Sequence, residues 1–359
     1  MYRKPIPFAK PDITSKEIDA VVRVLKNGWL TMGQETTMFE QEFSSYVHAS
    51  HAISVNSCTS ALFLALKSLG VGKGDEVIVP SFTFAATANV IVHCGAKPVF
   101  VDINPVNFTI DPQEVYKKIN KKTKAVIVVH YAGNKAVASF PVPVIEDSAH
   151  LVAKRNATNN IVCYSFYATK NLTTGEGGMI TTENSKIAQW LQKARLHGLS
   201  RDAWKRYDPK SNWRYDVEFS GYKCNMIDLQ AAIGRIQLQR LNQLETKRRK
   251  TINSYNILLN QQNIGTHLYP ILVQKQGHFI DYMKRHDISC SSHFIPLHKT
   301  KAFRKYASVK LPVTEYIGDR IVTLPLYPTL IKKEIEYISE KILAYGSFKK
   351  QEYGLSVLV

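Results

Sequence analysis

EVIVPSFTFAATANVIVHCGAKPVFVDI, residues 76–103, reads as strand, helix, strand. The runs EVIVP (76–80) and KPVFVDI (97–103) are short and rich in β-branched residues, with turn residues after each. A helical stretch near 85–93 lies between them. Strands apolar along most of their length are buried on both faces, so the unit predicts a mainly parallel α/β sheet sandwiched by helices. Outward from it the alternation continues. KAVIVVH (124–130), PVIED (143–147), IVCYSFY (161–167) and GMITT (178–182) read as further strands, with helices near 112–119 and 184–195. Upstream, TSALFLALKSLG (59–70) is apolar on nearly every side and predicts a buried helix. From Thr14, TSKEIDAVVRVLKNG has a Thr14/Glu17 capping box, an apolar face of Ile18, Val21, Val22 and Leu25, and a stop at Gly28.

After about residue 235 the pattern changes. A long amphipathic helix, roughly 228–260, leads to a smaller α+β region with HLYPILV (267–273) and CSSHFIPLH (290–298) as strands. This places a large domain at 1–245 and a small C-terminal domain at 246–359. One connection is unusual. Between Asn134 and Val144 stand only the nine residues KAVASFPVP, whereas a parallel crossover takes about a dozen or more. Either a helix is missing there, or the two strands are not joined in the usual way.

Composition bounds the partners. The 359 residues are 45% apolar and 21% charged, ordinary for a globular chain, and no apolar run approaches the length of about 18 needed to span a bilayer. The start, MYRKPIPFAKPDIT, has prolines and charges where a secretory signal is apolar, so a cytoplasmic protein is expected. The cysteines at 58, 94, 163, 224 and 290 are scattered and odd in number, which fits neither disulfides nor a thiolate metal site. The net charge of +18 favours anionic partners. Basic residues are dispersed, with only short clusters such as KKINKKTK (117–124) and KRRK (247–250), which disfavours nucleic acid. A small anionic substrate such as a nucleotide diphosphate suits the charge as well.

Three stretches carry chemistry. In VIEDSAH (144–150) an apolar strand ends in Glu146 and Asp147; burying a carboxylate is costly unless a positive group or hydrogen bonds compensate. In SFYATKNLTTGEGG (165–178) Lys170 follows another strand. Taken alone, Asp147 reads as a carboxylate bonded to loop amides, and Lys170 equally as a surface lysine at a strand end or as the carrier of a covalent cofactor. Adjacent strand ends would bring both to one edge of the sheet, and that pair has a meaning in pyridoxal phosphate (PLP) chemistry. The lysine forms a Schiff base with the aldehyde, and the carboxylate keeps the pyridine nitrogen protonated. A phosphate site is offered by NSCTSALFLAL (56–66), a polar turn running into a helix N-terminus, where N–H groups favour anions. Thr59 could equally be a plain N-cap there. Ser165 adds a hydroxyl, and Phe84 in SFTF (81–84) is either a core aromatic or a ring that stacks on the pyridine.

In this order, with GWLTMGQ (28–34), KARLHGLSRDAWKRY (193–207), GYKCNMIDLQAAIGRIQL (221–238), HFIPLH (293–298) and LPLYP (324–328), the sequence resembles the nucleotide-sugar aminotransferases of the fold-type I PLP enzymes, the DegT/StrS family. The resemblance runs nearly end to end. It implies Lys170 as the Schiff-base lysine and Asp147 as the pyridinium partner. It puts His150 near the phenolic oxygen, Cys58, Thr59, Ser60 and Ser165 at phosphate-binding positions, and Phe84 on the ring. Asn225 corresponds to an asparagine that reaches the phosphate from a neighbouring subunit, implying a homodimer with shared sites. Trp29, Leu30, Thr31 and His298 fall in segments that border the sugar-nucleotide cleft.

A nucleotide-linked keto sugar and glutamate are the implied substrates, and GYKCNM and GLSRDAWKRY look most like members acting at C4 of UDP-linked sugars. Relatives that use pyridoxamine phosphate to dehydrate a sugar carry histidine where this chain has Lys170. A non-catalytic or regulatory protein on the same scaffold is disfavoured by the intact Asp147/Lys170 pair. Two departures from the family pattern are the short 134–144 link and a trimmed stretch around NQQNIGTHLYPILVQ (260–274).

Overall fold

The computed structural model describes residues 4–154, 159–200, 214–307 and 310–346, and the backbone of 348–349. Two helices, α1 (Ser15–Asn27) and α2 (Gln34–Val47), precede β1 (His51–Val55) and the apolar α3 (Cys58–Ser68). The strand–helix–strand unit follows as β2 (Glu76–Pro80), α4 (Ala85–His93) and β3 (Lys97–Val101). Next come α5 (Pro112–Lys118), β4 (Thr123–Val129), β5 (Val144–Asp147), β6 (Ile161–Ser165), β7 (Gly178–Thr182) and α6 (Ser185–Ala194). The seven strands form one sheet in the order β1-β7-β6-β5-β4-β2-β3. From β3 to β6 the pairs are parallel, and β7 runs antiparallel to both its neighbours.

Alternate residues of each strand serve opposite faces. Ile53, Val77, Ile127, Ile145 and Ile180 pack with α3, α4 and α6. On the other face Tyr164 and Met179 meet Phe39 and Phe43 of α2, together with α7 (Asp228–Leu259). The β1 strand and α2 have no counterpart among the elements expected from sequence.

The short link resolves as a helix-less parallel crossover. β4 and β5 are adjacent and parallel, and a 3-10 turn at Tyr131–Gly133 is followed by extended chain. Ala136, Ala138, Phe140 and Val142 alternate along it and pack on Ile78, Val101, Val126 and Val128. A period of two covers the sheet face that a helix would otherwise bury.

The capping box of α1 forms as expected, and Gly28 ends the helix at φ +77°. Its apolar face does not turn inward as expected. Ile18 and Leu25 are more than half exposed, while Glu17, Ala20 and Val24 are buried. The cause lies in α7. Glu17 takes hydrogen bonds from Thr14 and Gln237 and an ion pair from Arg240, and Arg240 and Lys247 also hold Asp12 at 2.9 Å. The small residues Ala20 and Val24 let the two helices approach over Ala232.

Toward the C-terminus, β8 (Tyr269–Val273), α8 (Gln276–Arg285), α9 (Pro312–Gly318), β9 (Ile321–Leu324), α10 (Lys332–Tyr345) and β10 (Phe348–Lys349) follow α7. The second sheet is antiparallel, β10-β8-β9. CSSHFIPLH is not a strand. Ser291 makes one bridge to Thr323 and Leu297–Lys299 is a 3-10 turn; Pro296, which has no N–H, could not have donated to a ladder. The α7 helix serves both sheets. Leu238 and Leu241 lie in the cluster beside the large sheet, whereas Ile252, Tyr255 and Leu259 lie in that of the small one.

Candidate active site

The C-terminal ends of β5 and β6 open on a cavity of about 620 Å³ whose walls include Asp147, Lys170, Cys58, Thr59, His150, Ser165 and Phe84. Asp147 is 5% exposed and makes no ion pair among the described residues. It is held by neutral donors, with Thr87 Oγ1 giving a hydrogen bond to Oδ2 at 2.9 Å and the Ala149 N–H one to Oδ1 at 3.2 Å. Since Thr87 donates there, it must accept from Thr83 Oγ1, 2.9 Å away. Burial raises the Asp147 carboxyl above its ordinary value, against those hydrogen bonds and the charge of Lys170. A buried carboxylate without a cation calls for one.

Lys170 lies in the turn after β6, half-buried on the same wall. Burial lowers its ammonium to about 8, while Asp147 and Cys58 pull it back up. His150 is buried, and its Nδ1 accepts from the Ala132 N–H at 3.2 Å. Burial, then Lys170 and His293, hold its pKa well below the usual value. The ring is therefore neutral with its proton on Nε2, a fixed donor.

The far side of the cavity is the N-terminus of α3. Its cap is Ser57, not Thr59; Ser57 Oγ accepts from the Ser60 N–H at 3.1 Å. Cys58 and Thr59 therefore hold the first two helical positions, whose N–H groups have no acceptor within the helix. The GEGG run has a steric reason here. A Cβ on Gly178 would lie 2.6 Å from the Ser57 carbonyl carbon and 2.8 Å from the Cys58 nitrogen, so only glycine lets β7 start against this helix end. Gly178→Ala is expected to overpack the contact at a cost of about 1–3 kcal/mol, lowering the melting temperature and weakening PLP binding together in a thermal melt and a fluorescence titration. An unchanged melt and affinity would contradict this.

Some expected residues lie elsewhere in the chain. Ser60 does not line the cavity; its hydroxyl bonds Asn56 and Ser57. His298 is 6% exposed and bound, with Nδ1 2.7 Å from Ser81 Oγ and Nε2 3.3 Å from Glu315, so its ring is taken up in packing and does not border the cavity. Trp29, Leu30 and Thr31 join α1 to α2 away from the cavity, fastened where Thr31 O accepts from the Asp228 N–H and the Asp228 carboxylate accepts from Gly33 and Thr36. Asn225 is buried outside it as well, its Oδ1 taking the Lys223 ammonium at 2.6 Å. Residues 201–207 of the GLSRDAWKRY stretch lie outside the described residues.

The structure adds Thr87, His267 and His293 to the cavity wall. His293 stands in the quoted HFIPLH, five residues before the histidine expected to matter. Thr87 and His267 carry no local signal; only the return of distant segments to the same place reveals them.

These surroundings fit PLP. The cationless buried carboxylate suits a protonated pyridine nitrogen, the lysine of lowered pKa suits an aldehyde, and the free N–H groups of α3 suit a phosphate. Comparison with known proteins agrees. The DegT/DnrJ/EryC1/StrS aminotransferase family profile matches residues 11–343. The chain is 40% identical to the uncharacterised protein MJ1066 of Methanocaldococcus jannaschii, over 92% of this chain and 95% of that one. It is 38% identical to the spore coat polysaccharide biosynthesis protein SpsC of Bacillus subtilis, over 94% and 96%. Spr1654 of Streptococcus pneumoniae, described as a sugar aminotransferase and solved in PLP and PMP forms, superposes in its PLP form with a TM-score of 0.85 at 30% identity, covering 94% of this chain and 97% of that one. The chain belongs to the DegT/DnrJ/EryC1/StrS aminotransferase family and is a PLP-dependent sugar aminotransferase.

Proposed function

We propose that the chain transfers the amino group of glutamate to a nucleotide-linked keto sugar, a UDP-linked 4-keto-6-deoxy sugar. The observation that carries the amination is the buried Asp147 carboxylate, which makes no ion pair among the described residues, on the same cavity wall as Lys170. The substrate class is supported by GYKCNM, by the +18 charge and by similarity to a protein named for polysaccharide biosynthesis.

Bound PLP supplies an aldehyde that takes up the amino group and a ring that accepts electrons when a carbon loses its proton. The chain's own residues do the rest. Lys170, with its pKa near 8, exists as free base and as acid around neutral pH, so its Nζ can take a proton at one carbon and return it at another. Asp147 would hold the ring nitrogen in its protonated form. His150 would offer Nε2–H to the phenolic oxygen, the first N–H groups of α3 with Thr59 and Ser165 would hold the phosphate, and the exposed ring of Phe84 would cover the pyridine. A screen of nucleotide keto sugars with glutamate and PLP, read by mass spectrometry, tests the reading. A UDP-linked 4-amino sugar with matching 2-oxoglutarate is expected, and amination of a different nucleotide or carbon, or glutamate inert beside another donor, would overturn it.

The working unit in this reading is a cytoplasmic homodimer in which Asn225, with Lys223 beside it, serves the partner's cofactor. The support is that both lie outside their own chain's cavity. Mixing Lys170→Ala with Asn225→Asp, each inactive alone, is expected to restore activity in heterodimers, because both lesions fall in one site and the other is whole. An active monomer by sedimentation, or no recovery in verified heterodimers, would contradict shared sites. The same reading divides the chain at residue 245, where packing along α7 passes from one cluster to the other.

A further inference from the structure

The turn that carries Lys170 is held from the C-terminal part of the chain. Asn171, the next residue, is buried and sets its Oδ1 2.9 Å from His267 Nδ1 and its Nδ2 3.3 Å from Thr266 Oγ1. Asn171 also donates a hydrogen bond to Glu245, and a carboxylate can only accept, so the NH₂ end faces that way. Oδ1 is then the acceptor, and His267 Nδ1 carries the proton it receives. Burial, with the charge of Lys170 adding to it, keeps the His267 ring neutral well below its usual pKa, so this tautomer persists. His267 is itself clamped. Its backbone N–H donates to the Ala132 carbonyl at 3.1 Å, its ring lies 4.3 Å from that of His150, and Gly133 comes so close that a Cβ there would lie 2.9 Å from the Thr266 nitrogen. From α7, Arg248 reaches the Lys170 carbonyl only at 3.5 Å, so the Asn171–His267 bond is the shorter tie.

We propose that His267 is a positioning residue: acting through Asn171, it fixes the turn that carries Lys170 and so couples the seating of the C-terminal part to the placement of the reactive amine. The inference rests on Lys170 being the lysine that bears PLP. Asp147 of β5 and Cys58 of α3 face Lys170 and favour its charged form; His150 and His293 face it from the other segments. A displaced turn changes these distances, and the pH titration of the bound cofactor's visible absorption reports it.

The test uses the whole PLP-loaded protein as wild type, His267→Phe, His267→Asn, Asn171→Ala and the double variant His267→Phe/Asn171→Ala. The His267→Phe and Asn171→Ala midpoints are expected to move the same way by about half a pH unit or more, roughly a threefold change in the equilibrium. The double variant is expected to add nothing to either single change. His267→Asn, whose amide can donate where Nδ1–H did, is expected to return close to wild type. An unmoved midpoint in Asn171→Ala, additive effects in the double variant, or no rescue by His267→Asn overturns the positioning role; if His267→Phe does not fold, Asn171→Ala and His267→Asn decide alone. Borohydride reduction of the wild type separates the two claims, because pyridoxyl on a residue other than Lys170 overturns the reading of Lys170 itself whatever the variants do.

Discussion

Lys170→Ala is expected to lower turnover by at least about 10³-fold, within the range that a well-placed acid–base group supplies, and further because the covalent handle is lost as well. PLP binding is expected to survive. Asp147, His150 and the N-terminus of α3 are untouched, and the methyl group leaves room at the cavity wall. Equilibrium dialysis of PLP against the variant, with single-turnover amination in parallel, separates the two effects. Turnover within tenfold of wild type would mean that another group moves the proton. In the wild-type apoprotein, attack of an amine-directed reagent on Lys170 is expected to rise with pH around 8, because burial lowers the ammonium that far and the neutral amine is the nucleophile.

Asp147→Ala carries the second large effect. Removing one member of a buried charge pair costs about 3–5 kcal/mol, which at the chemical step is about 10²–10⁴-fold in rate. The loss is expected in transamination far more than in PLP affinity, which the phosphate contacts largely carry. Asp147→Asn refines the result. Its amide can keep a hydrogen bond in the place of the carboxylate but brings no charge, so it should resemble Asp147→Ala in rate if the charge matters. Near wild-type turnover for either variant at saturating PLP would assign Asp147 another task. In the apoprotein the raised Asp147 carboxyl binds a proton more readily than in the unfolded chain, so this group contributes stability at low pH that is lost as pH rises through its folded pKa.

The sheet was legible because its strands are short, apolar and β-branched, and burial on both faces leaves that signature without reference to partners. Asp147 and Lys170 stood out for the opposite reason, as ionisable groups at ends of strands that had to be buried. Other features could not be read locally. Ile18, Val22 and Leu25 on α1 look like an inward face, but Glu17 is drawn to Arg240 and Gln237 of α7, and the helix turns with it. That contact lies more than 200 residues away in sequence. The link at 134–144 could be flagged as short but not solved, since its alternating apolar side chains matter only once the bare sheet face is known. The HFIPLH motif marks a segment but not the setting of His298, whose ring meets Ser81 and Glu315 only once distant segments pack together. His267 gives no local signal, because a histidine beside a strand is ordinary until Asn171 and His150 meet it.

In this reading one lysine, Lys170, set on the same cavity wall as the buried Asp147 carboxylate, bears the cofactor. Borohydride reduction of the PLP-loaded protein, followed by peptide mapping, tests it most directly. A single pyridoxyl-modified peptide containing SFYATKNLTTGEGG, with the group on Lys170, is expected. Pyridoxyl on any other lysine, or none on Lys170 at full cofactor loading, would contradict it.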